Sequence, residues 1–425
     1  MSDIKVPVLK KGLRGEIVIP PDKSISHRAV MLLSLARGSA VIKKFSQAAD
    51  PRSTLDLFAN LGINYGFIDE NSLKIISTGR LQPPATDLYC GNSGTTMRLS
   101  AGILAAQKFS SVLTGDLSLS ARPMKRITEP LSLMGAEITS LEGHAPLKIS
   151  GCELRPIHYK SNISSAQVKS AVLLAGIQTT GETVFEEPYQ SRNHTELMLK
   201  YLGADIKTDG TKTVVNKSVI EPKTIEIAGD ISSAAFIMAA ALIVPNSDIV
   251  LKNVGLNPTR TGIIDVLKQM GGDLEILDLR EVSGEKIGDL RVKYSELTGV
   301  EIGGEIIPRL IDEIPVIAVI ASQAKGKTLI KDASDLRNKE SDRISVLCTE
   351  LQKAGVDIKE NDDGFEITGG KSINGGCELN PQNDHRLALS FYAAGLVAQK
   401  EISIKNFDCI NISLPEFLKL MSELY

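Results

Sequence analysis

Cysteine and histidine are scarce in this sequence, five of each in 425 residues, and neither type clusters. Cys90, Cys152, Cys348, Cys377 and Cys409 are scattered and odd in number, with no CxxC pair. That pattern fits reduced structural thiols in a cytosol rather than a disulfide framework. His27, His144, His158, His194 and His385 show neither HxxxH nor HxH spacing, so no metal site is expected. Long apolar runs are missing too. The longest, Ala234–Val244, falls short of the ~20 residues that a bilayer requires. The opening MSDIKVPVLKKG has no apolar core for a signal peptide, so a soluble cytoplasmic protein without membrane partners is expected. An excess of positive charge is also lacking. The net charge is -3, which argues against nucleic acid as the main partner. No GxGxxG follows a strand and no GxSxG occurs. The segment KGKTL resembles the end of a P-loop, but Ala321 stands where that motif needs glycine. What remains is an enzyme of small phosphorylated molecules that uses no nucleotide cofactor and no metal.

What the sequence does contain is a repeat. Apolar helical stretches end in Leu-Gly, Met-Gly or Ala-Gly and run into a short strand: LFANLGINY, LSLMGAEI, MLKYLGADI, VLKQMGGDL and ELQKAGVDI. Their glycines, Gly62, Gly135, Gly203, Gly271 and Gly355, recur at intervals of roughly 70–85 residues. Glycine after a helix is a C-cap signal, because it enters the left-handed conformation without strain. A second series is apolar almost all round: ISHRAVMLLSLARG, TTMRLSAGILAAQ, SAQVKSAVLLAG, SSAAFIMAAALIV, PRLIDEIPVIAVIA and HRLALSFYAAGLVA. A helix apolar on every face is buried on every face. Short β-branched strands such as GEIVIP, SVLTG, ETVFEE, DIVLKNV and KTLIKDA lie between them. Each unit thus reads as strand, buried helix, strand, outer helix and two strands. Six units fit the chain, which predicts an α/β protein of two similar domains with three repeats each. The midpoint falls near Gly229–Asp230. The loop VIPPDKS is expected to cross between domains, giving residues 19–229 as one domain and 1–18 plus 230–425 as the other.

The chemistry gathers at the helix starts. Lysine and arginine in a first helical turn oppose the macrodipole by roughly 0.3–1 kcal/mol each. Five of the six apolar helices nevertheless carry one there: Lys23 and Arg28, Arg98, Lys169, Arg309 and Arg386. A bound phosphate or carboxylate would remove the conflict, since helix amides and cations both stabilise it. Several helix starts are therefore expected to share a multiply charged ligand, although a lone arginine at such a place is ordinarily a salt bridge. Arg122 beside Pro123 and the run RNKESDR, with Arg337, Lys339, Glu340, Asp342 and Arg343, add further groups. Arg343 follows Lys339 by one helical turn, which predicts a shared face. Taken alone, that run reads as a solvated helix. Asp312 and Glu313 fall inside an apolar helix, where a carboxylate must be paired. Two readings stay open: a salt bridge to Arg309, or a general base tuned by nearby cations.

The segments DKSISHRA, GNSGTTMRL, LTGDLSLSARPM, SSAQVKSA, SRNHTE, GDISSAAF, PRLIDEIPVIAV, RNKESDRI and NDHRLAL occur in that order over nearly the whole chain. In this the sequence resembles the 5-enolpyruvylshikimate-3-phosphate synthases. The resemblance implies two domains of three βαβαββ units forming an inverse α/β barrel, with the active site in the interdomain cleft. It implies transfer of the enolpyruvyl group of phosphoenolpyruvate to the 5-hydroxyl of shikimate 3-phosphate, releasing phosphate through a tetrahedral intermediate. By the same resemblance, Lys23, Ser24 and Arg28 contact substrate. Ser165, Gln167 and Lys169 line the shikimate phosphate site, with Ser191 and Arg192 nearby. Gly94, Arg122, Arg343 and Arg386 hold phosphoenolpyruvate, and Asn92, Ala166 and His385 are further substrate-binding residues. Asp312 is the implied base and Glu340 the acid that protonates the methylene carbon, with Lys339 and Lys23 assisting. A monomer without cofactor is expected, with glyphosate as a competitor of phosphoenolpyruvate.

Two positions depart from the family pattern: Pro21 replaces a usual glycine before DKS, and Ile412 aligns where many members carry a lysine. SAQVK, RNHTE and NPTR (Asn257–Arg260) resemble the second, often glyphosate-tolerant class, but Gly94 is retained where some tolerant members have alanine. The nearest rival is the UDP-N-acetylglucosamine enolpyruvyl transferase family, which pairs its lysine with asparagine and uses a loop cysteine beside Arg-Pro. Here Ser24 follows Lys23 and Ala121 precedes Arg122. A non-catalytic metabolite-binding relative would be favoured by loss of Asp312, Glu340 or Lys23, all of which are present. An RNA-binding cyclase relative is disfavoured by the acidic balance.

Overall fold

The computed structural model describes residues 2–425. The chain divides into two compact units. One comprises Pro21–Ala228 with the short segment Glu281–Glu285; the other comprises the chain up to Pro20, Gly229–Arg280 and Lys286–Tyr425. Each unit holds three small sheets, and five of the six sheets have four strands in one order. The pattern is plain in the sheet where Leu88–Tyr89 lies parallel to Ser110–Thr114. Ser110–Thr114 pairs antiparallel with His144–Ser150, which pairs antiparallel with Glu137–Leu141. A parallel pair needs a long crossover, and here an apolar helix supplies it; the antiparallel pair needs only a hairpin. The sixth sheet has three strands and includes the start of the chain, Ile4–Val6, antiparallel to Ile402–Ile404.

In two sheets the edge strands are exchanged. Arg14–Val18 pairs with Asp248–Gly255, although it precedes the helix Lys23–Leu35 in the chain. Ile225–Glu226 pairs with Arg37–Lys43, although it precedes the helix Ile231–Ile243. The sequence therefore passes from one unit to the other after Pro20 and back after Ala228.

The six apolar helices lie inside. Every residue of Ile231–Ile243 is buried. Strand Leu73–Thr78 alternates buried and exposed residues, as a sheet does with one face on helices and one in water. Two of the inner helices, Gly94–Ala105 and Ala166–Gly176, touch at backbone distance: a Cβ on Gly102 would lie 2.1 Å from the Ala171 carbonyl oxygen. Side-chain caps start five of the six helices. Asp22, Ser93, Ser165, Asp230 and Asp384 each accept from an amide of the first turn; such caps contribute about 1 kcal/mol each. The outer helices end as the sequence predicts. Gly62, Gly135, Gly203, Gly271 and Gly355 all have φ between 87° and 98°. Among the described residues no helix is long and apolar enough to cross a membrane.

Two expected helices are broken. PRLIDEIPVIAVIA is not continuous: Ile307–Leu310 and Ile314–Gln323 are separate, with Asp312 and Glu313 in the joint. Pro315 explains the break, because its ring would clash with the carbonyl four residues back and it has no N–H to continue the ladder. Lys339 and Arg343 do not share a helix either. Lys339 ends the turn Ser334–Asn338, and Asp342 caps a new helix, Arg343–Lys353, by accepting from Ser345 N at 3.1 Å.

Candidate active site

In the unit built on Pro21–Ala228, the starts of three inner helices carry polar groups that bond one another. Lys23 Nζ donates to Asp50 Oδ2 at 3.0 Å, both side chains largely buried. Arg122 Nη2 donates to Asn92 Oδ1 at 2.6 Å, and Asn92 Nδ2 donates to Asp116 Oδ2 at 2.7 Å. Arg98 Nη1 donates to Gln167 Oε1 at 2.7 Å, and Gln167 Nε2 donates to Thr95 Oγ1 at 3.1 Å. Gly94 sits where these meet: a Cβ there would lie 3.0 Å from Arg98 Nη1 and 3.5 Å from Arg122 Nη1. Space for a side chain is thus tight between two guanidinium groups beside a helix N-terminus, an arrangement suited to an anion. Ser24 and Ala166 lie in the first turns of their helices, half-buried, and Ser165 caps the second of these.

Two expected ligand contacts have other partners. Arg28 is 3% exposed and ties three helices together: Nε donates to Thr195 Oγ1 at 2.7 Å, Nη2 to Ser170 Oγ at 2.9 Å and Nη1 to the Ser24 carbonyl at 3.0 Å. Lys169 is 1% exposed. Its ammonium donates to Glu187 Oε1 at 2.7 Å and the Ser191 carbonyl at 3.1 Å, with Glu196 Oε1 2.8 Å away. An ammonium has three protons, and three oxygens surround this one. Burial pulls the Lys169 pKa down, but Glu196 and Glu187 together outweigh it and the net shift is upward. Lys169 is therefore a buried strut. Glu187 also accepts from Ser191 N at 2.8 Å, so the strut fixes the loop that carries Ser191 and the half-buried Arg192.

The other unit gathers a denser set around Asp312. Asp312 Oδ1 lies 3.2 Å from Arg343 Nη1 and 4.0 Å from Lys339 Nζ, while Oδ2 lies 3.5 Å from Arg386 Nη2. Arg386 Nη1 also donates to the Asp312 carbonyl at 3.3 Å. Glu340 accepts from Arg343 Nη2. Arg343 is fully enclosed, and its Nε donates to Asp384 Oδ2 at 2.7 Å. Burial works against its charge, but Asp384, Glu340 and Asp312 hold the guanidinium firmly protonated. Asp384 also caps the helix His385–Leu396, so one carboxylate sets both the helix start and Arg343. The buried His385 opens that helix. Beneath lies a chain of buried groups: Arg260 Nη2 donates to Ser232 Oγ, whose hydroxyl donates to Glu313 Oε1. Arg309 does not join the set; it pairs with Asp265 at 2.7 Å and is partly exposed. Asp312 therefore answers to Arg343 and Arg386 and not to the arginine three residues before it. Ile412, half-buried at the end of the turn Phe407–Ile412, brings no charge. Among the described residues no group of three His, Cys, Asp or Glu side chains is placed to hold a metal ion.

Residues 9–421 match the family model described as EPSP synthase (3-phosphoshikimate 1-carboxyvinyltransferase). The chain belongs to the EPSP synthase family. It is 50% identical over 416 residues to the 3-phosphoshikimate 1-carboxyvinyltransferase of Geotalea daltonii, covering 97% of this chain and 96% of the relative. The corresponding enzyme of Petrotoga mobilis is 48% identical over 421 residues, 97% of this chain and 98% of its own. The EPSP synthase structure from Acinetobacter baumannii superposes with a TM-score of 0.88 at 41% identity, over 99% of this chain and 97% of that one. The enolpyruvyl transferase NikO of Streptomyces tendae, 15% identical, shares the fold with a TM-score of 0.79 over 99% of this chain and 97% of its own. The architecture is thus the enolpyruvyl transferase fold.

Asp50, Glu187, Glu196, Asp384, Ser232 and Arg260 are absent from the site residues expected from the sequence. Asp384 carried a readable signal, an acidic residue immediately before an apolar helix. The others pair across long sequence separations, which no local pattern reveals.

Proposed function

We propose that this EPSP synthase family member transfers the enolpyruvyl group of phosphoenolpyruvate to the 5-hydroxyl of shikimate 3-phosphate. The observation that carries the reading is Asp312, a carboxylate gripped by Arg343 and Arg386 with Glu340 on the other side of Arg343. A base and an acid separated by a guanidinium suit addition followed by elimination. In the addition, Asp312 takes the proton of the 5-hydroxyl as its oxygen bonds to C2 of phosphoenolpyruvate. Glu340 delivers a proton to C3, which gives the tetrahedral ketal. In the elimination, Glu340, now a carboxylate, takes a proton from C3, the double bond re-forms, and the C2–O bond to phosphate breaks as the phosphate leaves with the proton held by Asp312. Arg343, Arg386, Lys339, Lys23 and Arg122 are proposed to act on the two substrate anions. Their fixed charges would stabilise the developing negative charge without reorganising. Ser165, Gln167, Ser191 and Arg192 are assigned to shikimate 3-phosphate, with Lys169 holding their loop. Monomeric state, cytoplasmic location and competition by glyphosate belong to the same proposal.

Phosphate release from phosphoenolpyruvate tests it. Release is expected only with shikimate 3-phosphate present and nearly none from Asp312→Ala or Lys23→Met, with melting temperatures close to the parent. Full turnover by a folded Asp312→Ala variant would overturn the assignment.

A further inference from the structure

The helix Lys23–Leu35 meets the helix Ala49–Asn60 through two rungs one turn apart. The first is Lys23 on Asp50. The second is His27, whose Nδ1 lies 2.6 Å from Thr54 Oγ1. From Thr54 the chain of contacts continues to Thr96 Oγ1 at 2.7 Å and from Thr96 Oγ1 to Ser93 Oγ at 2.8 Å. Ser93 caps the helix that begins at Gly94. His27, Thr54, Thr96 and Ser93 are all 0% exposed.

The protons in this chain can be assigned by counting. A threonine hydroxyl has one proton. That of Thr96 goes to Ser93, so the contact between Thr54 and Thr96 must use the Thr54 proton. Thr54 then has only a lone pair left for His27, and Nδ1 must carry hydrogen. We propose that His27 is a positioning residue for the enolpyruvyl transfer, an obligate Nδ1–H donor that anchors the Lys23 turn and the Ser93–Gly94 turn to one helix. This inference rests on the assignment of Lys23 and Gly94 to the substrates. Neutrality of the ring has its own cause: burial, then the charges of Lys23 and Arg28, push its pKa well below the ordinary value. Thr54, which faces Nδ1, is uncharged. The mechanism needs no proton from His27; its contribution is the register between two helices.

The experiment pairs spectroscopy with kinetics. In the full-length protein labelled with 15N-histidine, the His27 ring is expected as the neutral Nδ1–H tautomer, unchanged from pH 8 to pH 6. His27→Asn keeps a donor near the Nδ1 position and should retain most of the activity. His27→Ala, and Thr54→Val with its equal shape and no hydroxyl, should lose about tenfold in kcat/KM, chiefly through the KM for phosphoenolpyruvate. If the alanine variant fails to fold, Thr54→Val decides. An Nε2–H tautomer, a ring that titrates near neutrality, or an alanine or valine variant as active as the parent would each overturn the proposal. Should substrates instead bind elsewhere, the tautomer would persist while the KM effect vanished, which separates the two failures.

Discussion

Replacing Gly94 by alanine tests the anion site with one carbon atom. The new methyl would sit 3.0 Å from Arg98 Nη1 and 3.5 Å from Arg122 Nη1. The second distance is ordinary contact; the first requires Arg98 to yield by a few tenths of an ångström. Arg98 cannot swing freely, because Gln167 Oε1 holds it at 2.7 Å and the Pro123 carbonyl at 3.2 Å. Pro123 follows Arg122, so the displacement passes to the neighbouring cation. The backbone at Gly94 is compatible with alanine, which should return about 0.5–1 kcal/mol of helix preference and leave global stability nearly level. A misplaced guanidinium should cost about 1.4 kcal/mol of transition-state binding, tenfold in kcat/KM for phosphoenolpyruvate. Steady-state phosphate release with each substrate varied in turn measures this. Shikimate 3-phosphate affinity should change little. An unaltered KM for phosphoenolpyruvate, or an equal loss for both substrates, would refute the geometry.

Three other outcomes follow from the buried charges. Lys169→Met leaves Glu187 and Glu196 facing each other without a cation, and denaturant unfolding should show a loss of about 3–5 kcal/mol; a change in substrate KM alone, with stability intact, would contradict the strut. Asp384→Asn keeps an acceptor for the helix cap but weakens the hold on Arg343. It should lower stability by about 2 kcal/mol, with a further ~1 kcal/mol lost in Asp384→Ala, measured by the same unfolding. The third concerns pH. His27 has a depressed folded pKa, so between that value and the unfolded value the unfolded chain binds more protons. Its stabilising contribution is complete above about pH 6.5 and is lost as the pH falls, by at most about 1.4 kcal/mol per unit. Melting temperatures of the parent and His27→Asn should diverge below pH 6.5, the asparagine variant falling less steeply; parallel curves would argue against a neutral buried ring.

The repeat was legible because its signals are local. Five glycines after apolar runs marked five helix ends, and all five adopt the left-handed conformation. Helices apolar on every face announced their burial. Periodicity alone was a poorer guide where proline or a cap intervened: it ran one helix through Asp312 despite Pro315, and another through Lys339 despite the capping Asp342. Nor could charge alone tell which of the cations brace the core. Lys169 and Arg28 occupy the same helical turns as the other cations. Their partners Glu187, Glu196, Thr195 and Ser170 come from elsewhere in the chain, and only the folded structure brings them within reach.

The exchanged edge strands bear on how the molecule emerges from a ribosome. The unit built on Pro21–Ala228 lacks an edge of its first sheet until Ile225–Glu226 is made, but nearly all of its residues then exist. Its partner must wait far longer. Ile4–Val6 lies against Ile402–Ile404, and Arg14 N donates to the carbonyl of Leu424. Ile4–Val6 thus stays unpaired until Ile402–Ile404 is made, so the three-stranded sheet of this unit closes long after its first strand is synthesised.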